Sequence, residues 1–308
     1  MSTTTAESTR TSRRGYPAEN KGPKNTAGDK AFATVAHILL IIWSIIVILP
    51  MLWMVMSSFK TSSEIFQSPF SLPANWNFDN YVSAWDRTDI GSAFINTIGV
   101  VGLALFLVML LGSMCSYVLA RFRFRGSQLI YWAMLAGLTF PVILAVVPLN
   151  LIMQRTGIIG ANSIIPAPYG LVVAYVAFAL PFTVFFLYAF FKQLPFELSE
   201  AAQLDGAGNW RTFFQVMLPM ARPGLASIAI FNFLGLWNQY LLAVTLNPAA
   251  PENRVLAQAL GAFLGTAGYN INYGALFAAL VITVVPILIV YIIFQRQLQG
   301  SVSQGTSR

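Results

Sequence analysis

The sequence predicts an all-α integral membrane protein with six transmembrane helices, on three observations. Of its 308 residues, 56% are hydrophobic and only 9% charged, against about 25% charged in a soluble domain. Mean hydropathy is +0.66, and so little polar surface cannot coat a water-soluble globule. Asp, Glu, Lys and Arg are also missing from six long runs: Ala31–Phe59, Ile90–Ala120, Gly126–Gln154, Thr156–Phe191, Pro223–Pro251 and Val255–Gln295. A helix needs about 20 apolar residues to cross a hydrocarbon core of about 30 Å, so each run is long enough to cross once.

In chain order, residues 1–32 are rich in Ser, Thr, Gly and basic side chains. Too polar to bury anything, they read as a disordered cytoplasmic tail. The apolar run that follows is too long for the core of a cleaved signal peptide. Residues 33–300 form the transmembrane domain, with span cores at 34–56, 94–119, 129–151, 169–191, 225–246 and 274–294, and residues 301–308 form a C-terminal tail. The segment 57–92 exceeds the needs of a turn and holds the Pro/Asn-rich stretch Ser71–Tyr81, while 192–224 carries Pro195, Gly206, Gly208, Pro219 and Pro223.

The net charge of +7 raises the question of a nucleic-acid partner, but the basic residues form no stripe interleaved with aromatics. They follow topology instead. With the N-terminus inside, 14 of the 18 Lys and Arg residues fall on the inner side, leaving Lys60, Arg87, Arg155 and Arg254 outside. Both termini are therefore expected in the cytoplasm of a bacterial cell. Cys115, the single cysteine, lies in an apolar run and reads as a small packing residue.

Absences narrow the function. No GxxxxGK[ST] phosphate loop is present, so the chain binds no ATP in the P-loop manner. His37 has no Cys or second His at ligand spacing, which argues against a metal. No span core holds an ionisable group of the kind that couples transport to ions or protons. The expectation is a chain that is not an enzyme, binds no cofactor and takes its energy from elsewhere.

The inner loop supplies a mechanism. In Leu194-Pro195-Phe196-Glu197-Leu198-Ser199-Glu200-Ala201-Ala202-Gln203-Leu204-Asp205-Gly206-Ala207, Pro195 suits a first helical turn and Glu197 the positive end of its dipole. Gly206 is placed to end the helix in a left-handed conformation. Asn209 can cap a second amphipathic segment carrying Trp210, Phe213, Phe214 and Met217, stopped near Pro219. Ala201 and Ala202 let another backbone approach closely; a merely solvated interfacial loop is the alternative.

The spacing from Glu200-Ala201-Ala202 through Asp205-Gly206-Ala207 to Val216-Met217-Leu218-Pro219 resembles the EAA loop of ABC-importer permeases. Val216 stands where that family usually has isoleucine. Asn80-Tyr81, Asn96-Thr97, Ser116-Tyr117-Val118-Leu119-Ala120-Arg121, Leu180-Pro181-Phe182, Trp237-Asn238 and Phe294-Gln295-Arg296 resemble the carbohydrate branch, specifically its maltose-type six-span subunit. Gln239 departs from the acidic residue that often follows Trp-Asn, which puts any role for a charge there in doubt.

The resemblance implies the type I ABC importer permease fold and a division of labour. This chain would form half of a sugar pathway with a second permease subunit, fed by an extracytoplasmic sugar-binding protein and driven by two ATPase subunits that hold ATP and Mg. The loop at about 193–222 would be the coupling element, with Glu200, Ala201, Ala202, Asp205 and Gly206 at the docking helix and Leu218-Pro219 setting re-entry into the membrane. For the substrate path, span five offers Asn232, Trp237, Asn238, Gln239 and Tyr240, groups suited to a neutral saccharide. Asn232 and Gln239 are seven apart and share one helical face, although amides there also serve as interhelical glue. A stand-alone secondary carrier and a membrane scaffold remain the competing classes.

Overall fold

The computed structural model describes residues 27–86, 89–160, 162–247, 250–266 and 271–303. Most of the expected N-terminal tail, residues 1–26, lies outside the described residues, as do residues 304–308 at the C-terminal end. Contacts divide the chain into residues 1–51 and 52–308. The described part of the first unit is helix: α1 (Ala27–Ser57) begins at Ala27, inside the stretch expected as tail, and carries its apolar side chains exposed through Leu49.

Among the described residues of the second unit, all regular structure is helical. Ser62–Gln67 (α2) and Asp79–Asp86 (α3) are short, and Ile90–Arg121 (α4) is the first long helix within it. Next come α5 (Ser127–Thr139), α6 (Val142–Arg155), α7 (Gly170–Gln193) and α8 (Glu197–Leu204). The chain continues with α9 (Asn209–Arg211), a π-helical turn at Thr212–Met217, α10 (Leu218–Met220) and α11 (Arg222–Trp237). It ends with α12 (Leu241–Leu246), a 3-10 turn at Pro251–Asn253, α13 (Leu256–Thr266) and α14 (Tyr273–Ser303).

Among the described residues four helices are long and apolar enough to cross a membrane, and six crossings result if each of two bent pairs counts once. Continuous helices were expected at 129–151 and 225–246, and both are broken. The first bends by 107° between α5 and α6. Pro141 cannot donate an amide hydrogen and forces Phe140 out of the helical region, to ψ 122°. The second ends as α11 at Trp237 and resumes as α12 only at Leu241, with Asn238-Gln239-Tyr240 between them. The second amphipathic segment also differs from expectation. Gly208, not Asn209, is its N-cap, and the helix runs past Pro219 to Met220 before a 78° bend at Ala221. Pro219 thus sits in the last turn of this helix, directly after the π-helical turn.

Packing centres on α4 and α7. Small residues let these helices close up: a Cβ on Gly112 would lie 2.5 Å from the Thr183 methyl, the kind of small-residue contact that packs helices in lipid. One apolar cluster, at the end bearing α2 and α3, joins Val100, Leu171, Tyr175, Trp237 and Leu256. A second, at the α8 end, joins Tyr117, Leu187, Phe191, Phe213 and Met217.

The segments between spans are tied down by polar contacts. Lys60 is fully buried, and its ammonium donates to the carbonyls of Ser68 (2.9 Å) and Pro69 (3.2 Å). Asn80 donates to the carbonyls of Ser58 and Lys60, both at 2.9 Å. Gly274 lets α14 close over this knot, because a Cβ there would overlap the Lys60 carbonyl oxygen and the Asn80 amide. Thr61 and Glu64 form a reciprocal capping box at the start of α2. Asn96 donates to the Glu252 and Arg254 carbonyls, and Thr97 Oγ1 accepts from the Leu256 amide at 2.7 Å.

Candidate coupling helix and transport groove

Gly206 has φ +79°, the left-handed region that residues with a Cβ resist. The Ala207 amide donates to the Ala202 carbonyl (2.9 Å) and the Gly206 amide to Gln203 (3.0 Å). These paired bonds make a Schellman stop at the end of α8. The two alanines separate: Ala202 is buried against the bundle, whereas Ala201 is exposed. Ala202 therefore belongs to the inner side of α8, contrary to the expectation of a docking face shared by both. The outward stripe is Glu197, Glu200, Ala201 and Leu204, at the i, i+3, i+4, i+7 spacing of one helical face. Leu204 is 89% exposed, extreme for a leucine on a short helix, and the sequence reading passed over it. Asp205 caps the end of α8, and Leu218 and Pro219 are half-buried where the chain turns back toward α11.

Arg121 joins this element to the bundle. At the last residue of α4, its Nη2 donates to the Leu194 carbonyl at 2.7 Å and its guanidinium carbon lies 4.5 Å from the centre of the Phe196 ring. One side chain thus grips the chain on entry to α8.

The break between α11 and α12 borders a groove of about 340 Å³, within the range of about 300–1,000 Å³ common to small-molecule sites. Asn232 and Gln239 both line it, although α11 ends before Gln239 and the two do not share one helical face as their spacing predicted, with Tyr175, Phe178 and Phe182 from α7 and Phe231 from α11. Phe182 and Phe231 meet edge-on, with ring centres 6.3 Å apart. The lining contains no carboxylate, ammonium or guanidinium. Asn232 is buried and donates to Thr183 Oγ1 at 2.8 Å, so its amide also bonds across to α7. The Tyr175 hydroxyl donates to the Gln239 carbonyl at 3.2 Å, holding the broken segment.

The other three candidates in span five lie outside the groove lining. Trp237 is buried and donates to the Thr283 carbonyl of α14 at 3.2 Å. Asn238 folds back to the Leu234 carbonyl at 2.9 Å and closes α11. Tyr240 packs by Gly261, where a Cβ would come within 3.0 Å of its ring. The sequence reading missed the α7 wall, although Tyr175, Phe178 and Phe182 stand at i, i+3, i+7 and are legible as one face.

A helical bundle with interrupted spans, an uncharged groove at one interruption and a stopped surface helix between spans is an arrangement suited to a membrane permease. The family model described as binding-protein-dependent transport system inner membrane component matches residues 108–304, and the chain belongs to that family. The diacetylchitobiose uptake system permease protein NgcG of Streptomyces coelicolor is 59% identical over 282 residues, covering 92% of this chain and 91% of that protein. The trehalose transport system permease protein SugB of Mycobacterium tuberculosis is 33% identical, covering 84% and 91%. A chain of a solved bacterial ABC transporter involved in alginate import superposes with a TM-score of 0.74 at 22% identity, covering 89% of this chain and 99% of that one, and shows the fold. The chain is therefore an ABC importer permease of inner-membrane type, not an enzyme, and this family membership replaces the readings as a stand-alone carrier or a scaffold.

Proposed function

We propose that this permease forms one half of the path for a small neutral oligosaccharide, of the N-acetylated disaccharide kind that its relative NgcG is named for. A second permease subunit completes the path, an extracytoplasmic sugar-binding protein delivers the substrate, and two ATPase subunits holding ATP and Mg supply the work. The chain lies in the bacterial cytoplasmic membrane with both termini inside, a reading supported by the placement of Lys and Arg. In that orientation the exposed stripe of α8 faces an ATPase.

The observation that carries this reading is the uncharged groove of aromatic rings and amides. Hydroxyl-rich rings present apolar faces that pack on Phe and Tyr and polar edges that amides bind, and fixed charge adds nothing for a neutral ligand. Gly235 lines the same groove, and a Cβ there would meet no atom within 4 Å. Gly235→Leu therefore adds bulk to the groove from a position where the new Cβ meets no neighbour. The whole complex is reconstituted in liposomes with its binding protein, and uptake of radiolabelled diacetylchitobiose is followed with and without internal ATP. Expected are ATP-dependent uptake in the parent, a sharp loss in Gly235→Leu, and normal uptake in Gly102→Leu, whose site is also open. Undiminished uptake by Gly235→Leu removes the groove from the path, and uptake driven by a proton gradient without ATP overturns the importer reading.

A further inference from the structure

Beside the coupling helix, at the α8 end of the bundle, lies a cavity of about 800 Å³ that the transport reading does not use. The turn after α4, the first turns of α5 and the last turns of α7 enclose it. Three cations, Arg121, Arg123 and Lys192, stand in its lining and no acidic residue does. Much of the remaining wall is aromatic: Tyr131 lies tilted against Tyr188 with 4.6 Å between ring centres, Lys192 Nζ lies 4.8 Å from the centre of the Tyr188 ring, and Trp132 is largely exposed. The Nε and Nη1 atoms of Arg121 are buried without a hydrogen-bond partner, although nearly all buried polar atoms find one.

Two further features say what fills such a space. Helix α5 has no fully buried side chain, and its outer face is of the kind that meets lipid, with Leu129 74% exposed, so the cavity opens beside that face. Tyr and Trp are the residues that settle at headgroup depth. We infer that the cavity seats the headgroup of an anionic phospholipid, with Arg123 and Lys192 facing its phosphate and the acyl chains running along α5. This rests on the orientation proposed above, which puts the cavity at the cytoplasmic leaflet, where basic clusters attract anionic lipid. An acidic patch on the ATPase is the competing partner. It accounts for the cations but not for an aromatic wall continuous with an outward apolar helix, and α8 already offers a separate exposed stripe for docking.

The test uses the whole complex in nanodiscs of equal parts phosphatidylglycerol and phosphatidylcholine, released into detergent and weighed by native mass spectrometry. Arg121 stays native because it also holds Leu194 and Phe196. Expected is retention of phosphatidylglycerol over phosphatidylcholine, falling about fivefold for each cation removed in Arg123→Gln and Lys192→Gln. Arg125→Gln makes the same change in charge outside the cavity lining and should leave the preference intact. Four results overturn the inference: equal retention of both lipids, an equal loss in Arg125→Gln, displacement by excess inorganic phosphate alone, or loss of ATPase subunits from the double variant with its lipid preference unchanged. Lipid retention is read without sugar or ATP, so its failure leaves the transport reading standing, and a failure of transport leaves lipid retention measurable.

Discussion

Gly206 permits a test in which backbone and side-chain effects separate cleanly. Its φ of +79° lies in the left-handed region, and a Cβ built there meets no atom within 4 Å. Any cost of substitution is therefore torsional, not steric crowding. A left-handed conformation costs an L-residue roughly 1–2 kcal/mol, and Asn, which visits that region far more often than Ala, less. A change of one or two kcal/mol is a factor of about 5–30 in an equilibrium between two conformations. The population in which α8 stops at Leu204 and presents its exposed stripe should fall by that order in Gly206→Ala, further in β-branched Gly206→Val, and less in Gly206→Asn. The assay is ATP hydrolysis by the reconstituted complex, stimulated by sugar-loaded binding protein, with membrane insertion scored separately and expected to be normal. The predicted order is Gly, Asn, Ala, Val. Asn is bulkier than Ala, so an order following side-chain volume, with Ala above Asn, refutes the torsional account; full stimulation in Gly206→Val refutes any role for the stop in coupling.

Other expectations follow from the knots and the stripe. Gly274→Ala should cost about 1–3 kcal/mol, because the new methyl overlaps the Lys60 carbonyl and the Asn80 amide; thermal denaturation in detergent, with Gly102→Ala as the tolerant control, reads this out. Glu64 sits outside the spans, and the Thr61 backbone amide, its main partner, holds its carboxyl below the usual range. Its support of α2 should be complete above the ordinary carboxylate value of about 4.3 and vanish as pH falls through the lower folded value. Protection from hydrogen exchange at residues 62–67, taken relative to the intrinsic rate at each pH, should therefore fall on acidification in the parent and lose that pH response in Glu64→Gln. Ala201→Trp should spoil ATPase assembly while leaving the bundle intact, since Ala201 is exposed; Ala202→Trp should instead lower the melting temperature, since Ala202 is buried. Equal assembly of parent and Ala201→Trp complexes would detach the exposed stripe from docking.

Charge-free runs were enough to place α4, α7 and α14, because long apolar stretches leave the backbone one economical solution in lipid. They were blind to direction inside a run. Hydropathy sees Gly126–Gln154 as one stretch, yet Pro141 turns it by 107°, a local effect of one missing amide hydrogen. The stop at Gly206 was legible for the opposite reason: a left-handed turn depends on residue type at one position. Asn232 and Gln239 reach the same groove, but not through helical spacing: α11 ends at Trp237, and Asn238, Gln239 and Tyr240 lie in the break, where the periodicity no longer applies. The shared face of Tyr175, Phe178 and Phe182 was legible from spacing, but the bond from Tyr175 to Gln239 was out of reach, since it joins positions 64 apart in the chain.

The π-helical turn at Thr212–Met217 has a consequence for how the coupling helix is aimed. The Leu218 amide reaches back five residues to the Phe213 carbonyl, so this stretch holds one more residue than the α-helix it interrupts. One residue corresponds to about 100° of rotation about the helix axis. Deleting exposed Gln215 would give the turn a more regular hydrogen-bond ladder, yet would swing Asn209, Trp210 and the α8 that precedes them around the axis relative to α11. Local helix stability and the compass bearing of α8 are set against each other here, and the surplus residue keeps the bearing.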